Sequence, residues 1–93
     1  AVIRFNASAE SIKKENRLQR MALAMGLPSG SDIPDAVTDM NARLGLPTGL
    51  AAMGVTSDQF DKIIVGAMAD HCHKTNPRIA TPQEYREMLQ QAM

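Results

Sequence analysis

Aromatic residues are scarce in this chain of 93 residues, which contains two phenylalanines, one tyrosine and no tryptophan. Proteins that bind single-stranded nucleic acid stack the bases on aromatic side chains inside a basic groove. Here ten Lys/Arg are balanced by ten Asp/Glu, so no basic surface is expected either. The composition therefore excludes nucleic acid as a probable class of partner, and it indicates packing surfaces built from flexible aliphatic side chains, including seven methionines.

The chain also has only one cysteine and no long apolar run. The single cysteine, Cys72, cannot form an intrachain disulfide, which favours a reducing, cytoplasmic setting. No apolar run approaches the roughly 20 residues that span a bilayer, and the opening AVIRFNAS lacks the apolar region of a secretion signal. These absences predict a soluble cytoplasmic protein that does not use a membrane as a partner.

No segment shows the period-two alternation typical of strands, so the fold class is predicted to be all-α, a small helical bundle. Apolar periodicity and capping residues predict one helix end followed by four helices. They are the last turn of a helix at residues 1–6, and helices from Ser8 or Ala9 to Met25, from about Asp32 to Gly45, from about Ser57 to Cys72, and after Thr81.

Helix boundaries are marked by clear local signals. The words GLPSG (26–30) and GLPTG (45–49) each combine a glycine suited to a left-handed helix cap with a proline that prevents continuation. Thr56 with Gln59, and Thr81 with Glu84, have the spacing of capping boxes.

The helix predicted from about Ser57 to Cys72 is apolar on several sides, so we expect it to be buried on most of them. Gly66 in its interior weakens the helix, which close approach of a neighbouring helix would explain.

The stretch DHCHKTNPR (70–78) admits three interpretations. A metal site is disfavoured because His71 and His73 face nearly opposite ways on a helix, and no further histidine or cysteine completes a ligand set. A Cys72 nucleophile has an adjacent histidine but no recognisable oxyanion hole. In the third interpretation Cys72 is a small buried side chain, His73 is exposed to solvent, and Asp70 pairs with Lys74 four residues later.

The following NPR turn stops the helix. Arg78 is then free to bind carbonyl groups or a carboxylate.

Three stretches resemble the C-terminal part of the iron-containing, group III alcohol dehydrogenases. They are AVIRFNA (1–7), GLPTGLAAMGV (45–55) and AMADHCHKTNPRIATPQEYREML (67–89). Members of that family commonly end with a buried helix that carries an acidic residue and a cysteine, then TNPR, then a helix capped by threonine. The resemblance covers nearly the whole chain and is carried by the combination of the three stretches.

The resemblance implies that residues 1–93 are the C-terminal all-helical segment of a larger two-domain dehydrogenase, without its nucleotide-binding domain. In such an enzyme NAD(P) and Fe²⁺, or another divalent metal, lie between the domains. The metal polarises the oxygen of a small alcohol or aldehyde while hydride passes to or from the nicotinamide. The metal ligands of the family, one Asp and three His, precede the point that matches Ala1. The resemblance therefore implies no catalytic, metal-ligating or cofactor-binding residue in this chain.

By the same resemblance, Cys72 lines the substrate pocket, where it shapes the cleft rather than attacks the substrate, and the turn at Asn76–Arg78 fixes the last helix. Many members have threonine or another small residue at the position of His73. We therefore expect a chain that is inactive alone, whose partner is the remainder of the dehydrogenase, and which self-associates through exposed apolar helix faces. The alternative function is a free-standing helical module that binds another protein through its Met/Leu faces.

Overall fold

The computed structural model describes residues 1–93 and confirms the all-α prediction, with seven α-helices and no strand. No helix has the length and apolar character needed to cross a membrane. The helices are α1 (Val2–Asn6), α2 (Glu10–Lys14), α3 (Arg17–Ala24), α4 (Ile33–Arg43), α5 (Phe60–Ala69), α6 (His71–Thr75) and α7 (Pro82–Gln91), with 3₁₀ turns at Ala51–Met53 and Ser57–Gln59.

The predicted glycine stops are confirmed. Gly26 follows α3 with φ of 71°, and the N–H of Leu27 reaches back to the carbonyl of Ala22 at 2.9 Å. This is the hydrogen bond of a Schellman motif, which satisfies a carbonyl that the helix leaves without a partner. Gly45 repeats the geometry after α4 with φ of 69°.

The helix starts also follow the predicted signals. Asp32 caps α4 through its side chain. At α7, Thr81 Oγ1 accepts from the N–H of Glu84 at 3.2 Å while the Glu84 carboxylate accepts from the N–H of Thr81 at 2.8 Å. Gln59 likewise accepts from the N–H of Thr56 at 3.1 Å. Both capping boxes are therefore confirmed.

The prediction of one helix from Ser8 or Ala9 to Met25 was wrong, because the chain turns at residues 15 and 16 between α2 and α3. Asn16 has φ of 49°, a left-handed conformation that asparagine adopts more readily than most residues. Across this turn the Arg17 guanidinium donates to the Glu15 carboxylate at 2.8 Å. A polar turn thus interrupts a periodic apolar pattern.

The prediction of one helix from about Ser57 to Cys72 was also wrong. After α5 the backbone becomes extended at Asp70, with ψ of 141°. The Asp70 side chain accepts from the N–H of Cys72 at 2.7 Å and so caps the separate short helix α6. Because the carboxylate is used in this way, the predicted pairing of Asp70 with Lys74 does not form.

Few side chains are removed from solvent. The expectation that α5 is buried on most sides was wrong for this chain, because α5 buries Phe60 and Ile64 but leaves Val65 71% exposed. A Cβ added at Gly66 would meet nothing within 4 Å, so no neighbouring helix explains this glycine. The buried residues are Ala9, Ala22, Ile33, Phe60, Ile64 and Ala80.

The helices form a flat assembly with principal extents of 40 × 32 × 18 Å. Its radius of gyration is 14.6 Å, whereas a compact domain of this length is expected to have about 12 Å. Helix α5 packs mainly on α7 and on α6, while α4 packs on α1 and α3. The convergence of α1, α5, α6 and α7 places residues 70–78 beside a concave surface.

Candidate functional site

An open pocket of about 470 Å³ lies where α1, α5, α6 and α7 meet. Its wall is mostly apolar, with a few polar side chains, which is the usual character of a small-molecule site. The lining residues are Val2, Phe5, Lys62, Ile63, Gly66, Ala67, Asp70, Cys72, His73, Asn76, Ala80, Tyr85 and Met88.

Cys72 is exposed at this pocket, so the interpretation of Cys72 as a buried side chain was wrong. Its Sγ lies 3.4 Å from Nε2 of His71. A hydrogen bond from the thiol to the Asp70 carboxylate, reinforced by the negative charge of that carboxylate, raises the pKa of Cys72. A thiol with a raised pKa stays protonated at neutral pH and is a poor nucleophile. The geometry thus suits a side chain that shapes a pocket.

The carboxylate of Asp70 is held in its ionised form. The backbone N–H of Cys72 donates to it and lowers the pKa of Asp70. His71 Nδ1 lies 3.6 Å from the same oxygen. The rim of the pocket at residues 70–72 therefore carries a negative charge next to a neutral thiol.

The ligand atoms of Asp70, His71 and Cys72 lie within 4.8 Å of one another. The set offers one carboxylate, one imidazole and one thiol from three consecutive residues, and it lacks the second histidine of the two-His, one-carboxylate triad that is typical of non-haem iron(II). All three residues are exposed, and this donor set does not fit an iron ion. That the chain supplies no metal ligand stays a prediction.

His73 is held from another helix. Its Nδ1 lies 3.1 Å from the hydroxyl of Tyr85 on α7, and the two rings are 5.8 Å apart at an angle of 44°. The expectation that His73 faces solvent was wrong, because the ring is half-buried against Tyr85. No local sequence pattern predicts this contact, since the residues are 12 positions apart on different helices.

The NPR segment braces α7 against α1. Arg78 Nη1 donates to the carbonyl of Phe5 at 3.4 Å and to Ser8 Oγ at 3.1 Å, while Nη2 bonds the Glu84 carboxylate. The guanidinium carbon also lies 4.1 Å from the centre of the Phe5 ring, a cation–π arrangement. The prediction that Arg78 binds carbonyls or a carboxylate is therefore confirmed for both kinds of acceptor.

A second concavity of about 250 Å³ lies beside the first, between α1, α5 and α7. It offers no polar surface and shares part of its wall with the larger pocket. Its lining residues are Ala1, Val2, Ile63, Ile64, Ala67, Tyr85, Met88, Leu89 and Ala92.

The sequence as a whole is similar to known proteins. Residues 1–93 match the family model described as Fe-containing alcohol dehydrogenase family, C-terminal. The chain is 58% identical over 93 residues to a 4-hydroxybutyrate dehydrogenase of Cupriavidus necator, covering 100% of this chain and 24% of that protein. It is 33% identical over 58 residues to an NAD-dependent methanol dehydrogenase of Bacillus methanolicus, covering 62% of this chain and 15% of that protein.

No solved structure matches the chain significantly. The chain spans about a quarter of the length of the first relative named above. The match to the family model covers every residue and confirms the resemblance that the three sequence stretches indicated. This chain belongs to the Fe-containing alcohol dehydrogenase family, whose C-terminal region it matches.

Proposed function

We propose that this chain forms a helical wall of the substrate cleft in a larger NAD-dependent, iron-containing dehydrogenase that interconverts a primary alcohol and an aldehyde. The observation that carries the proposal is the position of Cys72 at the open pocket of about 470 Å³ formed by α1, α5, α6 and α7. The match of the family over residues 1–93 and the dehydrogenase names of both relatives support this reaction class.

Cys72 acts in this proposal through its size and polarity. The neighbouring Asp70 raises the pKa of Cys72, which works against a nucleophilic thiolate. A protonated, polarisable thiol at the rim limits the length and branching of the alcohol that enters. In this proposal iron and NAD are bound by parts of the enzyme outside these residues, as the resemblance to the family implies.

The substrate class follows from the relative that aligns with the whole chain. That protein is named for 4-hydroxybutyrate and is 58% identical over all 93 residues, whereas the methanol dehydrogenase aligns over 58 residues at 33% identity. We therefore propose a short ω-hydroxy carboxylate, such as 4-hydroxybutyrate, as the substrate. A reducing, cytoplasmic location belongs to the same proposal and rests on the single cysteine.

The partner of the chain in this proposal is the remainder of the dehydrogenase. Large apolar side chains are exposed on several elements, with Leu23, Leu44 and Met53 more than 60% accessible. Exposed apolar surface of this extent marks faces that pack against other protein. The same faces would also serve a free-standing interaction module, so the reading frame that encodes the chain distinguishes the two functions. A start codon immediately before Ala1 would overturn the proposed parent enzyme.

The direct test is the activity of the intact enzyme and of its Cys72→Ala variant. We expect NAD-dependent oxidation of 4-hydroxybutyrate by the natural protein. In the variant, we expect the relative kcat/KM for alcohols of different length to change by about 3-fold to 10-fold, while bound iron is retained, as is typical of small changes in a pocket wall. Loss of all turnover with iron still bound would contradict a pocket-lining role and would assign Cys72 to the chemical step. Cys72→Ser serves as the matched control, because it keeps the size and polarity of the side chain.

A further inference from the structure

One ring nitrogen of His73 is occupied, while the other has no partner within the chain. Its Nδ1 lies 3.1 Å from the Tyr85 hydroxyl, and the tilted ring contact fixes the plane of the imidazole. Nε2 has no hydrogen-bond partner within the chain, and His73 and Tyr85 both line the pocket that contains Cys72. When Tyr85 donates to Nδ1, the proton of the neutral ring is on Nε2, and a protonated ring also carries one there. In the other neutral tautomer Nδ1 donates to the Tyr85 oxygen and Nε2 only accepts, so a bound carboxylate would select the forms that carry a proton on Nε2.

Tyr85 is well placed to hold this ring. It lies on α7, whose start is fixed by the Thr81–Glu84 capping box and by the bond between Arg78 and Glu84. The Tyr85 side chain is half-buried and also lines the adjoining apolar concavity, while its hydroxyl lies 3.1 Å from Nδ1 of His73. A donor held by a rigid neighbour loses little conformational freedom when it binds a ligand.

The charges around the pocket are unequally distributed. Asp70, at the rim near Cys72, is the single acidic residue of the lining, and its pKa is lowered by the N–H of Cys72. The basic groups of the lining are His73 and Lys62. A ligand carboxylate in the pocket is repelled by Asp70 and attracted by Lys62, and it accepts a hydrogen bond wherever His73 offers an N–H. The rest of the wall is mostly apolar and suits the methylene groups of a short aliphatic chain.

We propose that His73 is the residue of this chain that binds the carboxylate of an ω-hydroxy carboxylate substrate, donating from Nε2, and that Tyr85 is the positioning residue that orients the imidazole. The proposal rests on the proposed function, in which this pocket is part of the substrate cleft. The present proposal names the protein residue that distinguishes a hydroxy acid, which carries a carboxylate, from a neutral alcohol. Lys62 contributes positive potential from an exposed position, where a charge is screened by solvent.

The test compares two substrates of the intact, iron-loaded enzyme that differ in the terminal group, 4-hydroxybutyrate and 1,4-butanediol. For His73→Leu we expect kcat/KM for 4-hydroxybutyrate to fall about 10-fold to 100-fold, mainly through KM, because a hydrogen bond to a charged group is lost. The kcat/KM for 1,4-butanediol should change by less than about two-fold, since the diol has no carboxylate for His73 to bind. His73→Lys should restore part of the preference for the carboxylate, because it returns a cationic donor.

Tyr85→Phe tests the positioning role. Removing the hydroxyl should raise KM for 4-hydroxybutyrate about 3-fold to 10-fold and leave the diol nearly unchanged, because the imidazole keeps its place in the wall but loses its fixed orientation. The matched control is Lys74→Gln, for which we expect a change of less than about two-fold, because Lys74 is an exposed cation on the same helix as His73 and does not line the pocket. Equal losses with both substrates, or the full loss of carboxylate preference in Lys62→Gln, would overturn the assignment to His73.

Inhibitor binding tests the same role of His73 in variants that turn over substrate slowly. Butyrate and butyramide have the same shape but differ in charge, so the ratio of their inhibition constants reports carboxylate recognition without chemistry. We expect this ratio to shift about 10-fold or more in His73→Leu and to stay unchanged in Lys74→Gln. An unchanged ratio in His73→Leu overturns the role of His73 alone. Absence of dehydrogenase activity in the natural enzyme, with any alcohol, overturns the proposed function and this inference together.

Discussion

The side-chain amides of Asn6 and Asn76 hydrogen-bond to each other in both directions, at 2.9 and 2.7 Å, across 70 positions of sequence. Asn76 also donates to the carbonyl of Arg78 at 2.6 Å. This pair joins α1 to the end of α6, and it fixes the far end of the segment that carries Cys72 and His73.

Asn76→Ala should lower the stability of the intact enzyme, because it leaves the partly buried Asn6 amide without its partner. We expect a loss of about 1–3 kcal/mol, observed as a lower melting temperature. The variants Asn6→Ala and Asn6→Ala/Asn76→Ala complete a double-mutant cycle. Additive losses in the cycle would show that the two amides do not stabilise each other.

Gly66→Ala should stabilise α5 and narrow the pocket. An added Cβ meets nothing within 4 Å, and alanine is favoured over glycine inside a helix by up to about 1 kcal/mol. The matched control is Gly26→Ala, also in open space, which should be destabilising because φ is 71° there. Thermal unfolding of both variants checks the signs, and a lower melting temperature for Gly66→Ala would contradict the open environment at this position.

The contribution of Glu84 to stability should depend on acidic pH. Its pKa is lowered, chiefly by the N–H of Thr81, with the Arg78 guanidinium adding to the effect. A carboxyl whose pKa is lower in the folded state stabilises the fold above its ordinary pKa, about 4.3, and this contribution is lost as pH falls through the lowered value. Glu84→Gln should therefore reduce the melting temperature most at neutral pH, and the difference should shrink in acid.

Glu87→Gln is the control for that experiment, because Glu87 is exposed and its carboxylate accepts from the side chain of Gln83 at 3.1 Å. Its melting temperature should stay close to that of the natural protein at neutral pH. A Glu84→Gln difference that is the same at pH 7 and below pH 3 would be inconsistent with an ionised Glu84 as the source of stability.

Asp70→Asn should make the Cys72 thiol more reactive. Asp70 raises the pKa of Cys72 through a hydrogen bond and its negative charge, so removing the charge lowers that pKa and increases the thiolate fraction at neutral pH. The rate of alkylation by iodoacetamide should be measured from pH 6 to 10. The pH at which this rate rises should be lower in the variant. Asp61→Asn, on α5 but bonded to Arg86, is the control and should leave the profile in place.

The isolated 93-residue chain should neither reduce aldehydes with NADH nor retain iron after desalting, and it should self-associate. The prediction follows from the unsuitable donor set and from exposed apolar side chains such as Val65 and Leu44, which are 71% and 65% accessible. Activity assays, metal analysis and analytical ultracentrifugation measure the three properties. Stoichiometric iron in the isolated chain, or a strictly monomeric particle, would contradict it.

Features governed by neighbouring residues were predictable from sequence. Gly26 and Gly45 end helices, and Thr81 begins one, because each signal acts within a few residues of itself. The helix breaks at Asn16 and Asp70 were not predicted in this way, since neither position has a glycine or proline beside it that would end a helix. At Asp70 the side chain accepts a hydrogen bond from the N–H of Cys72 and so caps a second helix, where the sequence pattern predicted that the first helix continues.

The candidate site was predictable only in part. Resemblance to the family predicted Cys72, and the structure brings this residue to a pocket, while its role there stays a prediction. The contact between His73 and Tyr85 depends on how α6 and α7 meet, which no local pattern encodes. The burial of α5 was overestimated. An apolar side chain such as Val65 indicates that its helix face packs against protein, but the sequence does not indicate which segment packs there.

The extended residue at Asp70 separates α6 from α5, and Asn76 anchors the opposite end. Residues 71–75 thus form a short helix with a fixed start and end, and its exposed side chains at 71, 72, 74 and 75 can be exchanged with little repacking of the surrounding helices. If this helix lines the substrate cleft as proposed, varying these four positions while keeping Asp70, His73 and Asn76 is an economical starting library for changing which alcohols the enzyme accepts.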